Sequence, residues 1–402
     1  MRWVGALLLS TAIPAFSQEG PCADCHPAET RAFRQTGMGR SIAVPSPDDA
    51  LGEFRRDARL PGPAGATYIS ANRGGRIYHE EVRDGAVVES LPVLYGIGSG
   101  QHGRSYAVGR GGGLFESPLS YYTARGAWDL SPGYAAGHFR GFTRPVSAAC
   151  LFCHSGAPQP VAIGCERCHG SGEHAQFVNP AKLAPGPRED VCYQCHLGGD
   201  IRILRAGKTE LDFRPGGRLG DTVAVFSLPP SAKPDGLDAV GQPAQLRMSR
   251  CWKASQGKLG CLSCHDPHAE RTDYRSRCLQ CHASRPCVAA AATRRATSPP
   301  DNCVTCHMPR SPLNRVAHIA HTNHRILRFA EEALDPSPPS GPMELTCETQ
   351  PEPDLRSKAL AYATAAQGLP LFGDRARALL AQAGREYPED KEITAALAAL
   401  GR

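Results

Sequence analysis

Hydrophobic and polar positions follow different periods in different parts of this chain. Residues 66–97, ATYISANRGGRIYHEEVRDGAVVESLPVLYGI, alternate apolar with polar side chains around an RGG and an RDG turn, a pattern typical of short strands joined by tight turns. From residue 354 onward the chain is rich in Ala and Leu with a helical period. The pattern predicts a small antiparallel β-rich region over residues 50–130 and a helical tail over residues 354–402.

The helical tail has the spacing of one tetratricopeptide repeat. Counting back about 34 residues from Pro388 places Leu360, Ala376 and Leu380 at consensus positions of such a repeat. A single repeat cannot bury its own apolar face, so we expect the tail to dock on the rest of the chain, to bind a protein partner, or to be the remnant of a longer array. A plain helical hairpin explains the pattern equally well. Six prolines between residues 331 and 353 indicate a linker before it.

The first residues have the pattern of a secretory signal. Arg2 precedes the apolar stretch WVGALLLSTAIPAFS, which is too short to cross a bilayer and ends in small residues. We therefore expect residues 1–17 to be a cleaved signal peptide and the mature chain to be periplasmic or otherwise exported. No later stretch reaches the roughly 18 apolar residues of a transmembrane helix, so no integral membrane segment is predicted.

The cysteines carry the strongest chemical signal in the chain. Fourteen of the 17 cysteines form seven Cys-x-x-Cys pairs, and a histidine follows each pair at once. Seven trailing histidines in seven positions are not a chance arrangement, because the whole chain holds only 15. The paired cysteines are Cys22, Cys25, Cys150, Cys153, Cys165, Cys168, Cys192, Cys195, Cys261, Cys264, Cys278, Cys281, Cys303 and Cys306, and the histidines are His26, His154, His169, His196, His265, His282 and His307.

This spacing is that of the c-type haem attachment motif. On a helix the two thiols and the imidazole lie one turn apart on the same face, so the thiols can bond the two vinyl groups of one haem while the imidazole binds its iron. A zinc site would need closed sets of four ligands, and a disulfide framework does not require histidine. The sequence therefore predicts seven covalently attached haems c, with the trailing histidines as proximal iron ligands.

Composition is consistent with a core built partly from cofactors. Aromatic residues make up only 6% of the chain, while 42 Gly and 35 Pro interrupt it. Seven macrocycles would supply the missing apolar volume and would be close neighbours in a chain of this length. We expect one haem motif in residues 18–49 and a core with the other six in residues 131–330, on short helices joined by loops.

Several segments resemble the multihaem cytochromes c of the c552/c554 type, in particular a secreted branch with a C-terminal tetratricopeptide extension. The segments are CADCHPAETRAFRQTGMGRS, GSGQHGRSY, WDLSPGYAAGHFRGF, CERCHGSGEH, KLGCLSCHDPH and NCVTCHMPR followed by HTNHRI. The resemblance covers roughly residues 20 to 330. It implies a mainly α and irregular multihaem core, with only the small β region near the N-terminus and the helical tail added to it.

The resemblance also implies a distal ligand for each iron. Met38 stands where simpler members of the family place a histidine, and a thioether there would change the potential of that haem. His321 is an alternative to His318. Seven candidates match the seven motifs in number, and in chain order they are Met38, His102, His138, His174, His268, His318 and His324.

Three cysteines and the net charge complete the sequence-based picture. Cys251, Cys287 and Cys347 lie outside the motifs, and three thiols allow three different pairings, so no disulfide is assigned. The formal net charge is +6. Each haem brings two propionates, so the basic surplus is interpreted as propionate neutralisation rather than as a nucleic-acid surface.

These features favour a non-catalytic electron carrier that exchanges electrons with redox proteins outside the inner membrane. Two alternatives remain open. One is a multihaem oxidoreductase that reduces or oxidises a small nitrogen or sulfur compound at one open haem. The other is a redox adaptor whose helical tail recruits a protein partner.

Overall fold

The structure is a computed structural model that describes residues 22–49, 51–135, 137–155, 162–173, 176–229, 241–270, 272–284, 287–310, 322–328 and 343–400. The expected signal peptide lies outside these ranges. So do most of the proline-rich linker and three of the predicted ligand histidines, which are His174, His318 and its alternative His321.

An eight-stranded antiparallel sheet occupies the N-terminal third of the chain. The second to the eighth strands are neighbours in chain order, and the first strand pairs with the fifth. The second and eighth strands contact each other, so the sheet is curled and nearly closed. The strands are β1 Ile42–Ala43, β2 Ala58–Pro61, β3 Thr67–Arg73, β4 Arg76–Arg83, β5 Ala86–Ile97, β6 Arg104–Arg110, β7 Gly113–Tyr122 and β8 Ala127–Leu130.

Two-residue turns fix the register of the first hairpins. Asp84 and Gly85 join β4 to β5 with φ angles of 49° and 80°. Positive φ at both central residues matches the twist of a tight antiparallel hairpin. Gly74 and Gly75 form the equivalent turn between β3 and β4, with φ angles of 59° and 84°. The RGG and RDG signals in the sequence therefore mark these turns.

The expectation of a mainly α chain with only a small β region is wrong, because this large sheet is a principal element of the fold. Alternation is hidden in its later strands because serines face the interior and bond one another. The Ser120 hydroxyl lies 2.8 Å from that of Ser105 and 2.7 Å from that of Ser131. Buried polar groups paired in this way satisfy one another without breaking the strands.

Among the described residues, two short helices precede the sheet and nine follow it, and the cysteine motifs lie on or at the ends of seven of these helices. Within the described ranges, no helix is both long and apolar enough to cross a membrane. The first eleven helices are α1 Cys22–Cys25, α2 Pro27–Arg34, α3 Ala148–His154, α4 Glu166–His169, α5 Pro185–His196, α6 Gln242–Met248, α7 Arg250–Ala254, α8 Cys261–Cys264, α9 Tyr274–His282, α10 Ala291–Arg295 and α11 Cys303–His307.

The helical tail shares a core with a second sheet. Strands β9 Ile201–Leu204, β10 Val223–Ser227 and β11 Thr346–Cys347 form an antiparallel sheet in the order β11-β10-β9. Helices α12 Leu355–Gly368, α13 Gly373–Glu386 and α14 Lys391–Leu400 form the tail, and α12 packs on β9. Ile203 and Phe226 of the sheet join Tyr362 and Leu380 of the helices in one apolar cluster. The tail is therefore docked on the middle of the chain.

Candidate functional site

Each cysteine motif folds into about one helical turn. The His26 N–H donates to the Cys22 carbonyl over 2.8 Å, and the His169 N–H donates to the Cys165 carbonyl over 2.9 Å. These bonds place the histidine one turn beyond the first cysteine, as the predicted attachment chemistry requires. None of the 17 cysteines, all of which lie among the described residues, forms a disulfide, including Cys251, Cys287 and Cys347.

The imidazole of His169 in the third motif faces a second imidazole. Its ring centre lies 5.9 Å from that of His268, and the two ring planes differ by 20°. Two imidazoles bound on opposite sides of one metal ion, with metal–nitrogen bonds of about 2 Å, would have ring centres about 6 Å apart. The centre-to-centre separation of this pair matches that value.

The fifth motif contributes a second pair of the same shape. The ring of His265 lies 6.2 Å from that of His324, again with planes 20° apart. In the described part of the chain these are the two histidine pairs with this arrangement. Each pair joins a motif histidine to a predicted distal ligand, so the structure brings together residues that the sequence could only propose separately.

A backbone carbonyl fixes the tautomer of one ring in each pair. His169 Nδ1 lies 2.9 Å from the Val178 carbonyl, and His324 Nδ1 lies 2.8 Å from the Thr322 carbonyl. A carbonyl can only accept, so Nδ1 must be the donor and Nε2 keeps its lone pair for a metal. Metal-binding histidines commonly make this second contact.

The third and seventh motifs use the same backbone arrangement. The Val178 N–H donates to the His169 carbonyl over 2.9 Å, which adds to the side-chain bond between the two residues. In the seventh motif the Leu327 N–H donates to the His307 carbonyl over 2.8 Å, and His307 Nδ1 lies 2.7 Å from the Leu327 carbonyl. Each histidine is therefore held by two bonds to one downstream residue. Sequence reasoning missed Val178 and Leu327, because a backbone carbonyl leaves no residue signature.

Burial favours neutral imidazole at His154, His265 and His324. Desolvation lowers the pKa of His265 to about 4, and the positive charges that His324 and His196 would carry act in the same direction. Burial also lowers the pKa values of His324 and His154. Neutral imidazole is the form that binds a metal.

Helix α5 is in contact with three other helices, α3, α4 and α6, of which the first two carry motifs. Gln194 Nε2 on α5 donates to the Arg167 carbonyl on α4 over 2.9 Å. The Cys261 N–H at the start of α8 donates to Glu189 on α5 over 2.9 Å. The second, third, fourth and fifth motifs are therefore neighbours in space.

The remaining ligand candidates lie in varied surroundings. Met38 is half-buried in the turn after α2, and its carbonyl accepts the Ser41 N–H. His102 is half-buried, whereas His138 is exposed and its N–H donates to the Gly133 carbonyl. The positions of His174 and His318 are outside the described residues.

Two aromatic side chains near the pairs were not predicted. The ring of Phe33 on α2 meets the ring of His268 edge-on at 6.3 Å. The Tyr274 hydroxyl lies 3.3 Å from His265 Nδ1. The N-terminal motif segment thus reaches the pair made by the third motif.

Groups of three or more metal-binding side chains do not occur in the described part of the chain. Haem iron receives its other ligands from the porphyrin, so two opposed imidazoles complete its coordination. The two imidazoles of each pair fit the two ligand positions that a porphyrin leaves on its iron.

Comparison with known proteins identifies no relative of the chain. No protein family model, no curated protein and no solved structure matches it. The function has to be inferred from its own residues.

Proposed function

We propose that this chain is a heptahaem c-type cytochrome that carries electrons between redox proteins outside the inner membrane. The proposal rests on two features of the chain that occur together, the cysteine motifs and the pairs of imidazole rings. Seven motifs offer two thiols and one imidazole each, and two of the motif histidines face a second imidazole at a separation suited to one shared metal ion.

The residues of the chain have distinct roles in this proposal. The motif cysteines would hold the cofactor through thioether bonds, and the motif histidines would be ligands of its iron. His268 and His324 would be further iron ligands, and the carbonyls of Val178 and Thr322 hold Nδ1 of His169 and His324 as donors, which leaves Nε2 free to bind a metal. Haem iron with two nitrogen ligands supplies reversible one-electron transfer.

The packing of the helices that carry the motifs favours electron transfer between haems of the same chain. The helices α3 and α4 both contact α5, and α9 contacts both α8 and α11. The motifs thus form groups of neighbours rather than isolated sites. A chain with redox centres this close together can pass electrons internally, which supports a carrier with a separate donor and acceptor.

The count of attached cofactors tests the proposal directly. The chain should be exported and matured in a host with a c-type haem attachment system, and its intact mass measured under denaturing conditions. We expect seven haem increments on the mature chain, and six when Cys278 and Cys281 are both replaced by Ala. A fully matured wild-type chain without any covalent haem would refute the proposal.

Spectroscopy separates the carrier from the alternative oxidoreductase. We expect electron paramagnetic resonance of the oxidised protein to show low-spin iron at all seven sites, since seven distal candidates are available. A substantial high-spin signal that changes on adding nitrite or hydroxylamine would favour the oxidoreductase with one open haem.

A further inference from the structure

Two arginines approach the same phenyl ring but differ in how their charge is balanced. Phe152 lies inside the second cysteine motif, on α3. Arg167 Cζ is 4.5 Å from the centre of this ring, and Arg202 Cζ is 5.7 Å from it. Arg202 binds Glu210 with two nitrogens, over 3.1 Å and 2.8 Å. Its positive charge is therefore compensated by a carboxylate of the chain.

Among the described residues, Arg167 has no carboxylate partner of this kind, and its side chain instead contacts the sulfur of Cys195 in the fourth motif. The residue is 9% exposed, and its Nη2 is a buried atom without a hydrogen-bond partner. In the part of the chain that the structure describes, no carboxylate forms an ion pair with it. A buried guanidinium strongly favours an anionic partner, because neither water nor protein otherwise replaces its hydration.

The location of Arg167 indicates where such a partner would come from. Arg167 lies between the two cysteines of the third motif, stacks on Phe152 of the second, and accepts a hydrogen bond at its carbonyl from Gln194 of the fourth. A cavity of about 180 Å³ adjoins it, lined in part by Glu166, Ser171 and Arg214. Three attachment motifs thus surround a guanidinium that forms no ion pair with a carboxylate of the described residues.

We propose that Arg167 binds a propionate carboxylate of a haem attached to one of these three motifs. The inference rests on the proposed function. Each haem brings two propionates, so loading the chain brings carboxylates into this region. The planar guanidinium matches a carboxylate with two parallel hydrogen bonds. Arg202 does not take this role, because Glu210 already occupies its donors.

The pairing has a measurable effect on one haem. A fixed positive charge favours the reduced iron, which carries one positive charge less than the oxidised iron, so Arg167 raises the potential of that haem. It also keeps the propionate ionised. Without Arg167 the propionate pKa would rise, and the potential would acquire a pH dependence in the acidic range.

The test compares Arg167→Gln with wild type by spectroelectrochemical titration of the fully loaded protein between pH 5 and pH 8. We expect the potential of one redox component to fall and to become pH-dependent, while the potentials of the other components stay unchanged. Arg167→Lys should move that component less, since it keeps the charge. Arg375→Gln is the matched control, because it removes one exposed positive charge on α13, a helix without a cysteine motif, and should leave every component in place.

The outcomes separate this inference from the proposed function. A wild-type chain without haem would refute the function itself. Seven haems with identical titrations for wild type and Arg167→Gln would refute only the assignment of Arg167. A wild-type component that shifts with chloride concentration would show that Arg167 holds a free anion instead, and this would also overturn the assignment. If Arg167→Gln fails to mature, the redox titration of Arg167→Lys still tests the assignment. Potentials identical to those of wild type in that variant would contradict bidentate binding of a propionate by Arg167.

Discussion

The imidazoles of His265 and His324 lie 6.2 Å apart with nearly parallel planes, although His268 is the histidine nearest to His265 in sequence. His268 instead faces His169 of a different motif. The fifth-motif histidine is thus paired with an imidazole from a later segment, whereas the histidine just after this motif is paired with the third motif. Both pairs are therefore formed only by tertiary structure.

Replacing His324 by Gly should open the iron site at His265. We expect one high-spin haem per chain in electron paramagnetic resonance, because the distal imidazole is lost while the motif thioethers still hold the cofactor. Added imidazole should fill the space left by the side chain and restore low spin. Rescue by a small ligand distinguishes a lost iron ligand from a general loss of structure.

His268→Gly provides the matched comparison at the other pair. It should also give one high-spin haem, and the double variant should give two, since the two histidine pairs have no ring in common. Unchanged spectra for both single variants would mean that the imidazole pairs do not bind iron.

Met38 stays a predicted distal ligand whose substitution is directly informative. A thioether donates less to ferric iron than imidazole does, and methionine–histidine ligation raises haem potentials. We therefore expect Met38→His to lower one component of the redox titration while the others remain in place. Absence of a sulfur-to-iron charge-transfer band in wild type, together with an unchanged titration of the variant, would show that Met38 does not bind iron.

Local sequence was sufficient for the motifs but not for their partners. The spacing of Cys165, Cys168 and His169 determines a helical turn, because all three residues lie within one hydrogen-bonded segment. The choice of His268 as the partner of His169 depends on how loops and short helices pack. The carbonyl of Val178 is equally invisible in sequence, since every residue except the last can offer one.

The two sheets also show that local sequence predicts nearby strand pairs but not distant ones. The first hairpins were visible because residues 66–97 alternate apolar with polar side chains around the RGG and RDG turns. The second sheet gave no such signal. Its strands β9 and β10 are short, and β11 is more than 100 residues further along the chain and pairs Cys347 with Phe226. Pairing over that separation cannot be inferred from local periodicity.

Leu380 should be important for stability and unimportant for cofactor binding. It is 0% exposed in the cluster that joins α13 to the second sheet, so Leu380→Ala should cost about 2 to 5 kcal/mol of unfolding free energy. Leu371 is 55% exposed, and Leu371→Ala should change stability by about 0.5 kcal/mol at most. Urea denaturation followed by circular dichroism measures both, with haem content as a second readout.

Equal stability of Leu380→Ala and wild type would show that the tail does not share a core with β9 and β10. Loss of haem from Leu380→Ala at full stability would instead link the tail to the cofactor sites. We expect neither, because the cluster contains no motif residue.

His79 should make the stability of the first sheet depend on pH. The side chain is 0% exposed on β4, and Nδ1 lies 2.6 Å from the Ser117 hydroxyl. The rings of Tyr106 and Trp128 meet it edge-on at 5.3 Å and 5.5 Å. Burial lowers the pKa of His79 to about 3, from an ordinary value of 6.5. The folded protein therefore keeps this ring neutral under conditions in which the unfolded chain protonates it.

The sign of the effect follows from proton binding. Between about pH 6.5 and pH 3 the unfolded chain binds one more proton at this site than the folded chain, so stability falls as the pH falls, by at most about 1.4 kcal/mol per pH unit. Above pH 6.5 the residue contributes no pH dependence. We expect His79→Gln to flatten this part of the stability profile, measured by urea denaturation at stepped pH. Ser117→Ala removes the hydrogen-bond partner but leaves the titrating ring, so it should keep the slope. A His79→Gln variant with the full wild-type slope would show that other groups cause the acid sensitivity.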